Sequence, residues 1–386
     1  MGRSPFRPRG RFNQTTISRN PMIATPRRLA LPLLLLTLAP ALAADEVDDF
    51  VEAERQRQHI PGVSLLVVDD GKVVKQRGYG LANVEHDVPV RPETIFQSGS
   101  VGKQFTAAAV LLLVEDGKLD LDDSVHKFLT DAPEAWQPMT VRHLLSHTSG
   151  LHGMPQDFDY QRDYTEEELL DVIYGLRLAT KPGRAWRYSN PGYITLGILI
   201  HKVSGQFYGD FLEERVFGPL EMTATGVISE ADIVPHRAAG YRLVEGELKN
   251  QKWVSPTMDS TADGSLYFNL VDLVKWDAAL TDDRLLSEAS RREMWTPQVL
   301  ADGQPNKAGY GFGWSFRDVA GHRIVSHGGA WQGFSSLIFR ALDDRLTVVL
   351  LANLSADACD LAPILHHVTA HYRPELAALT AKEHDQ

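Results

Sequence analysis

Phe96-Gln-Ser-Gly-Ser100-Val-Gly-Lys103-Gln-Phe-Thr-Ala-Ala-Ala-Val-Leu-Leu-Leu-Val-Glu-Asp116 is the stretch on which the fold turns. Its first residues read as an extended segment. From Lys103 to Asp116 the run is helical and apolar nearly all round, and Gly117 closes it. A helix with no polar face has to be covered on every side, so this one belongs in the middle of a domain. Ser100 and Lys103 lie one helical turn apart, which returns both side chains to the same face. Ser100 also stands at the helix N-terminus, where free N–H groups and the helix dipole favour developing negative charge. A serine hydroxyl is a weak nucleophile that needs a base beside it, and a buried amine can be that base.

Outward from this helix the two ends of the chain carry strand patterns. Val63–Val68 and Val73–Tyr79 flank Asp70-Gly71, a strong hairpin turn signal. Tyr310–Arg317, His322–His327, Phe334–Arg340 and Leu346–Leu351 follow at short spacing near the C-terminus, with a closing helix near 358–372. Both groups would expose strand edges alone. The economical solution is an α+β fold: one antiparallel β-sheet formed by both ends of the chain and flanked by helices. Residues 44–119 and 290–386 make this sheet-plus-helix domain, and 120–289 is an inserted, mostly helical domain. Thr165 with Glu168 forms a capping box in that insert, and a helix runs from Pro191 to Ser204 before Gly205.

Residues 1–43 read differently. Seven arginines and no acid precede the apolar run Leu29–Leu38, and Ala41-Leu42-Ala43 follows as a small-residue cleavage site, the form of a secretory signal peptide. Met22 begins a compact signal of its own, so residues 1–21 read as an extension from a misplaced start codon. The expected product is periplasmic or secreted, with no stable membrane anchor, because the apolar run is shorter than the ~20 residues of a membrane span. Its removal takes the formal charge from −11 to −18, since residues 1–43 hold seven of the 39 basic residues and none of the 50 acids. So acidic a body argues against nucleic acid and anionic membranes as partners. The single cysteine, Cys359, can form no internal disulfide, and it reads as a plain buried thiol.

Two further motifs bear polar chemistry. Tyr188-Ser189-Asn190 offers a phenol to relay protons and a carboxamide to bind an amide or fix the lysine. Taken alone, Asn190-Pro191 is an ordinary N-cap and N1 pair. His327-Gly328-Gly329-Ala330 ends a predicted strand; its glycines let a substrate backbone approach, and the Ala330 N–H can join that of Ser100 as an oxyanion hole. Taken alone, it is a hairpin turn with a solvent-facing histidine. Each pattern is cheap by itself, because Ser124-Val-His-Lys127 and Tyr267-Phe268-Asn269 repeat the first two elsewhere in the chain. His143 and His147 are spaced like a zinc pair, but the glutamate of H-E-x-x-H is missing and His152 is only loosely a third ligand, so a role in the loop is preferred to a metal. Ser98 at the first position of Ser98-x-Ser100-x-Gly102 argues against an α/β-hydrolase elbow.

Order and placement of the three motifs resemble the serine β-lactamase-like, or penicillin-recognising, family, and within it the class C β-lactamase, DD-carboxypeptidase and related esterase branch. Phe96–Thr106, Leu144-Leu-Ser-His-Thr-Ser-Gly-Leu151 and Tyr310-Gly-Phe-Gly-Trp314 look like further signatures, and the likeness extends over roughly 50–355. The resemblance implies a serine hydrolase acting on a β-lactam, a D-amino-acid peptide or a short-chain ester through an acyl-enzyme on Ser100. Lys103 and Tyr188 would share the proton transfers, while Asn190, His327, Gly328, Gly329 and Ala330 would bind substrate and oxyanion. No metal or cofactor is implied. His327 and Gly328 stand where the family commonly has lysine and threonine, which weakens recognition of a substrate carboxylate. A penicillin-binding sensor that acylates without turnover is the non-enzymatic alternative.

Overall fold

Asp70 and Gly71 take φ of 49° and 74°, the left-handed pair that a two-residue hairpin demands. They join strand β1 (Gly62–Asp69) to β2 (Lys72–Asn83) in a computed structural model that describes residues 44–376. The signal-peptide reading of 1–43 lies outside the described residues. Helix α1 (Glu46–Arg57) precedes the hairpin, its N-terminus closed by a capping box between Asp45 and Asp48. Asp48 then accepts from Lys75 Nζ at 2.8 Å, Arg77 Nη1 at 2.6 Å and the Tyr79 hydroxyl at 2.6 Å, which fastens α1 to β2.

Short strands β3 (Val88–Pro89) and β4 (Phe96–Gln97) lead through a 3₁₀ turn at Gly99–Gly102 into α2 (Lys103–Glu115). Helices α3 (Val141–Leu145), α4 (Glu166–Tyr174), α5 (Asn190–Ser204) and α6 (Tyr208–Leu212) come next. Strands β5 (Gly226–Val227), β6 (Tyr241–Val244), β7 (Glu247–Asn250) and β8 (Leu266–Phe268) follow, then α7 (Leu270–Ala279) and α8 (Glu288–Met294). The stretch 120–289 therefore holds small β ribbons as well as helices. Strands β9 (Ser315–Val319), β10 (His322–Trp331), β11 (Phe334–Ala341) and β12 (Leu346–Ala352) precede the last helix, α9 (Ala362–Tyr372).

The main sheet has seven strands in the order β3-β2-β1-β12-β11-β10-β9, and its central pairing joins the two ends of the chain: Val63 faces Ala352 and Asp69 faces Leu346. Alternation along β1 divides the core. Val63, Leu65 and Val67 pack with Val47 and Val51 of α1 and Ile364, Leu365 and Val368 of α9. Leu66 and Val68 turn the other way, into a cluster that runs without a break through α2 and on to α5, α6 and α7. Helix α2 has its residues Lys103–Leu113 buried, as its lack of a polar face requires.

The predicted strand Tyr310–Arg317 is corrected: pairing in β9 starts only at Ser315. Tyr310, Phe312 and Trp314 all point into the core, which alternate glycines permit. A Cβ at Gly311 would stand 2.3 Å from the Met294 carbonyl, and one at Gly313 2.8 Å from that of Lys103. Close approach to two helices, rather than strand pairing, explains the period-two pattern. Cys359 is buried ahead of α9, its thiol pushed up to about 12 by burial.

Asn353, fully buried, links the end of β12 to β2 and to the segment before β6: its Nδ2 reaches the carbonyls of Leu81 at 3.0 Å, Ala239 at 3.1 Å and Ala82 at 3.3 Å. Asn353→Leu leaves those carbonyls without the donor, and we expect a loss of about 2 kcal/mol of stability, read as a lower urea midpoint at unchanged slope.

Candidate active site

The residue before Ser100 can only be glycine. Gly99 has φ of 50°, and a Cβ there would lie 2.4 Å from the Ala330 nitrogen. Two other glycines close on the same turn. A Cβ on Gly264 would meet the Gly99 carbonyl oxygen at 2.5 Å, and one on Gly329 would meet the Ser98 oxygen at 2.3 Å and the Ser100 nitrogen at 3.1 Å. Ser98 braces the turn: its hydroxyl donates to the Gly264 carbonyl at 2.8 Å, and its own carbonyl accepts from Ser336 Oγ at 2.6 Å. Ser100 is thereby held between β10 and the segment before β8.

Lys103 is fully buried, and its ammonium has three acceptors: Ser100 Oγ at 3.1 Å, Asn190 Oδ1 at 2.9 Å and the Asp263 carbonyl. Three N–H donors are thus all used. The nitrogen also faces the rings of Tyr188 and Tyr193, 4.9 and 5.4 Å from their centroids.

Asn190 reaches Lys103 because it is not the helix cap. Ser189 has the extended backbone of an N-cap and accepts from the Gly192 N–H at 3.1 Å, so Asn190 is the first helical residue with its carboxamide unspent. The cap reading of Asn190-Pro191 is corrected accordingly. In the duplicate Tyr267-Phe-Asn269 the cap reading holds, for Asn269 Oδ1 accepts from the Asp272 N–H at 2.9 Å. The duplicate Ser124-Val-His-Lys127 is likewise structural: Ser124 donates to Gln137, and Lys127 pairs with Asp123 on the surface.

Tyr188 lies against this cluster. Its ring is 4.3 Å from that of His147, and its hydroxyl is buried with no hydrogen-bond partner in the protein. A buried phenol left unpaired is a group awaiting a partner. His147, whose φ is 59°, accepts from the Ser189 N–H through Nδ1 at 3.1 Å and so positions the Tyr188-Ser189-Asn190 segment. His143 and His152 also use Nδ1 as an acceptor for backbone N–H groups, of Thr140 and Gly153.

His327 is a buried residue inside β10, not a solvent-facing residue of a turn; the turn itself is Gln332-Gly333. Its Nε2 is 2.8 Å from the Tyr310 hydroxyl and its Nδ1 2.6 Å from the Gly328 carbonyl. Burial first, and the charge of Lys103 second, push the imidazole down to about 4. The ring is neutral at pH 7, so it is not a cation for a substrate carboxylate. Further along β10, Trp331 and Phe334 flank the two-residue turn and form its hydrogen-bonded pair. Alternation then leaves the N–H groups of Ala330 and Gly328 outside the β11 ladder. That of Ala330 is on the side where Gly99 and Ser100 approach. Ser100 Oγ, a buried amine and two convergent N–H groups can hold a carbonyl carbon, take up a proton and stabilise an oxyanion.

Sequence reasoning had not singled out the Asp263 carbonyl, Gly264, the bracing role of Ser98 or Tyr193, while His147 bears out the preference for a role in the loop. Gly264 carried a signal, a glycine following a polar run, while a backbone acceptor carries none.

Residues 47–368 match the sequence profile of a family described as Beta-lactamase. Penicillin-binding protein 4* of Bacillus subtilis (strain 168) is 31% identical over 312 residues, 76% of this chain and 68% of that relative. Among solved structures, an octameric penicillin-binding protein homologue from Pyrococcus abyssi superposes with a TM-score of 0.73 at 29% identity, covering 84% of this chain and 76% of its own. The D-amino acid amidase of Ochrobactrum anthropi SV3 does so with a TM-score of 0.70 at 25% identity, covering 80% and 90%.

Two results are expected from this geometry. Gly329→Ala forces β10 away from the Ser100 turn, and acylation of Ser100 should fall at least ~100-fold with the far-UV circular dichroism unchanged. In a histidine NMR titration His327 should stay neutral from pH 8 downward and protonate only near 4. Since the unfolded ring protonates near 6.5, this group withdraws stability as pH falls from there toward 4; a midpoint near 6.5 would contradict the buried setting.

Proposed function

The chain belongs to the Beta-lactamase family and is a serine hydrolase, and we propose that it cleaves an amide or ester outside the cytoplasm through an acyl-enzyme on Ser100. The observation that carries this reading is the 3.1 Å contact between Lys103 Nζ and Ser100 Oγ in a site where the amine has no access to water. In the proposed reaction Lys103 acts as the free amine: Ser100 Oγ attacks the carbonyl carbon while its proton passes to Lys103 Nζ, directly or through the Tyr188 hydroxyl, which hands on its own proton as it takes one up. The Ser100 and Ala330 N–H groups hold the oxyanion. The same proton returns to the leaving nitrogen or oxygen as its bond to the carbonyl carbon breaks, and water then hydrolyses the Ser100 ester. Asn190 fixes Lys103, and the inserted stretch 120–289 supplies Tyr188, Asn190 and Asp263.

The neutral His327 favours a substrate with no carboxylate at that point. A D-amino-acid amide or a short-chain ester fits this better than a penicillin, and the likeness to a D-amino acid amidase supports the former. The substrate is then a small molecule or peptide, and no cofactor takes part. Export rests on the reading of residues 1–43; among the described residues no helix is long and apolar enough to cross a membrane. A penicillin-binding protein that acylates without turnover is the second reading, favoured by the name of the Bacillus subtilis relative.

Intact-mass time courses separate these. With a p-nitrophenyl ester we expect an adduct that forms and clears, and none on Ser100→Ala; turnover retained by Ser100→Ala ends the assignment. With benzylpenicillin an adduct that persists supports the second reading. Tyr188→Phe should slow acylation about 100-fold or more with little change in substrate affinity, and an unaltered rate removes Tyr188 from the proton path.

A further inference from the structure

Away from Ser100, a cavity of about 960 Å³ opens between α7, α8 and the far ends of β10–β12, and no residue of the Ser100 site lines it. Its wall contains a charged side chain in an unusual position. Arg340, on β11, is 6% exposed. Nη2 binds the Asp277 carboxylate at 3.2 Å and the Asp277 carbonyl at 3.3 Å, and Nε reaches Thr347 Oγ1 at 3.4 Å. These contacts account for a structural arginine tying α7 to the sheet. They do not account for Nη1, which is buried and has no acceptor in the protein.

A second donor in the same wall is also unpaired. The Trp295 ring lies over the Arg340 guanidinium, with 5.6 Å from Cζ to its centroid, and its buried Nε1–H finds no acceptor. Leaving a buried donor unmade costs about 1–3 kcal/mol, so two side by side in one wall mark a place where an acceptor belongs.

Further arginines surround these two donors. Arg291, its side chain 10% exposed, donates to the carbonyls of Asp282 and Leu286 and to the carboxylate of Asp283, which is 73% exposed. Arg340 alone pairs with a buried carboxylate, Asp277, itself 7% exposed. Burial lowers the pKa of Arg340, and the nearby Arg291 acts in the same direction against the pull of Asp277. At the rim, Arg292 is exposed, and Arg323 and Arg345 pair with Asp343 and Asp70. Glu288 is the one other carboxylate of the lining. Four of the five arginines in the lining are thus matched by aspartates, so what the cavity offers an arriving anion is unspent donors rather than bare charge.

We infer that this cavity is a second binding site, for the oxyanion of a small molecule, phosphate or carboxylate, with Arg340 Nη1 and Trp295 Nε1 as its donors. Guanidinium and indole N–H groups both donate to phosphate and carboxylate oxygens, the guanidinium with direction as well as charge.

Calorimetric titration of the purified protein with inorganic phosphate, and separately with malonate, at fixed ionic strength tests this. Saturable binding of one equivalent of either is expected, and the anion that saturates identifies the group. Trp295→Phe removes the N–H and should weaken binding at least five-fold; Arg340→Gln should abolish it. Because Arg340→Gln also strands Asp277 and can unfold the protein, Arg292→Gln, a change at the exposed rim, serves as the independent variant and should weaken binding several-fold. No saturable heat with either anion, or affinities unchanged in Trp295→Phe and Arg292→Gln, overturns the inference. Both outcomes are independent of what Ser100 does.

Discussion

The ammonium of Lys103 is the charge around which the rest is built. Dehydrating an ion costs several kcal/mol even in a relaxed protein, and the cost is offset only where every proton has an acceptor. Here the acceptors come from the turn before α2, the first residue of α5 and the segment before β8, separated from Lys103 by 3, 87 and 160 positions in the chain. No one of these can move off without leaving a buried charge short of a partner. The same demand explains why Ser189 caps α5: a capping Asn190 would have spent its oxygen on the backbone.

Backbone approach, rather than side-chain contact, sets the remaining distances. Gly99, Gly264 and Gly329 bring three segments to within the space of one Cβ, and Ser98 pins them with its hydroxyl and its carbonyl. Because β10 is in register with β11, and through β12 with β1, the Ala330 N–H belongs to the most extensively paired part of the molecule. A donor carried on such a scaffold needs no reordering when charge develops opposite it. This ties the pairing of the two chain ends to the chemistry: the sheet that buries α2 also presents the second N–H.

Features with a local physical signature were legible in the residues. Asp70-Gly71 declares a left-handed pair, the run after Lys103 has no face to show water, and the last three strands stand between short turns where they were read. Where two forces write the same pattern, reading by pattern went astray. Tyr310-Gly-Phe-Gly-Trp314 alternates like a strand, yet its glycines serve close packing on α2 and Met294, and its aromatics all point inward. Ser189 and Asn190 are both good caps, and only the tertiary pull of Lys103 decides between them. The Asp263 carbonyl could not have been found at all, since every residue has one.

His327 shows how a single position can change a substrate's charge without touching the reaction. A second cation beside Lys103 in so dry a place would be repelled strongly, and would become tolerable once an anionic ligand arrived between them. A lysine there makes the vacant site wait for a carboxylate. The imidazole answers the same repulsion by giving up its proton, with burial and Lys103 both pushing it down to about 4. Its two nitrogens are then occupied by the Tyr310 hydroxyl and the Gly328 carbonyl, so the vacant site is already balanced. With Ser100, Lys103 and the paired N–H groups held by other contacts, acyl transfer does not depend on what stands at 327. What depends on it, in the function proposed above, is whether the arriving molecule has to bring a negative charge.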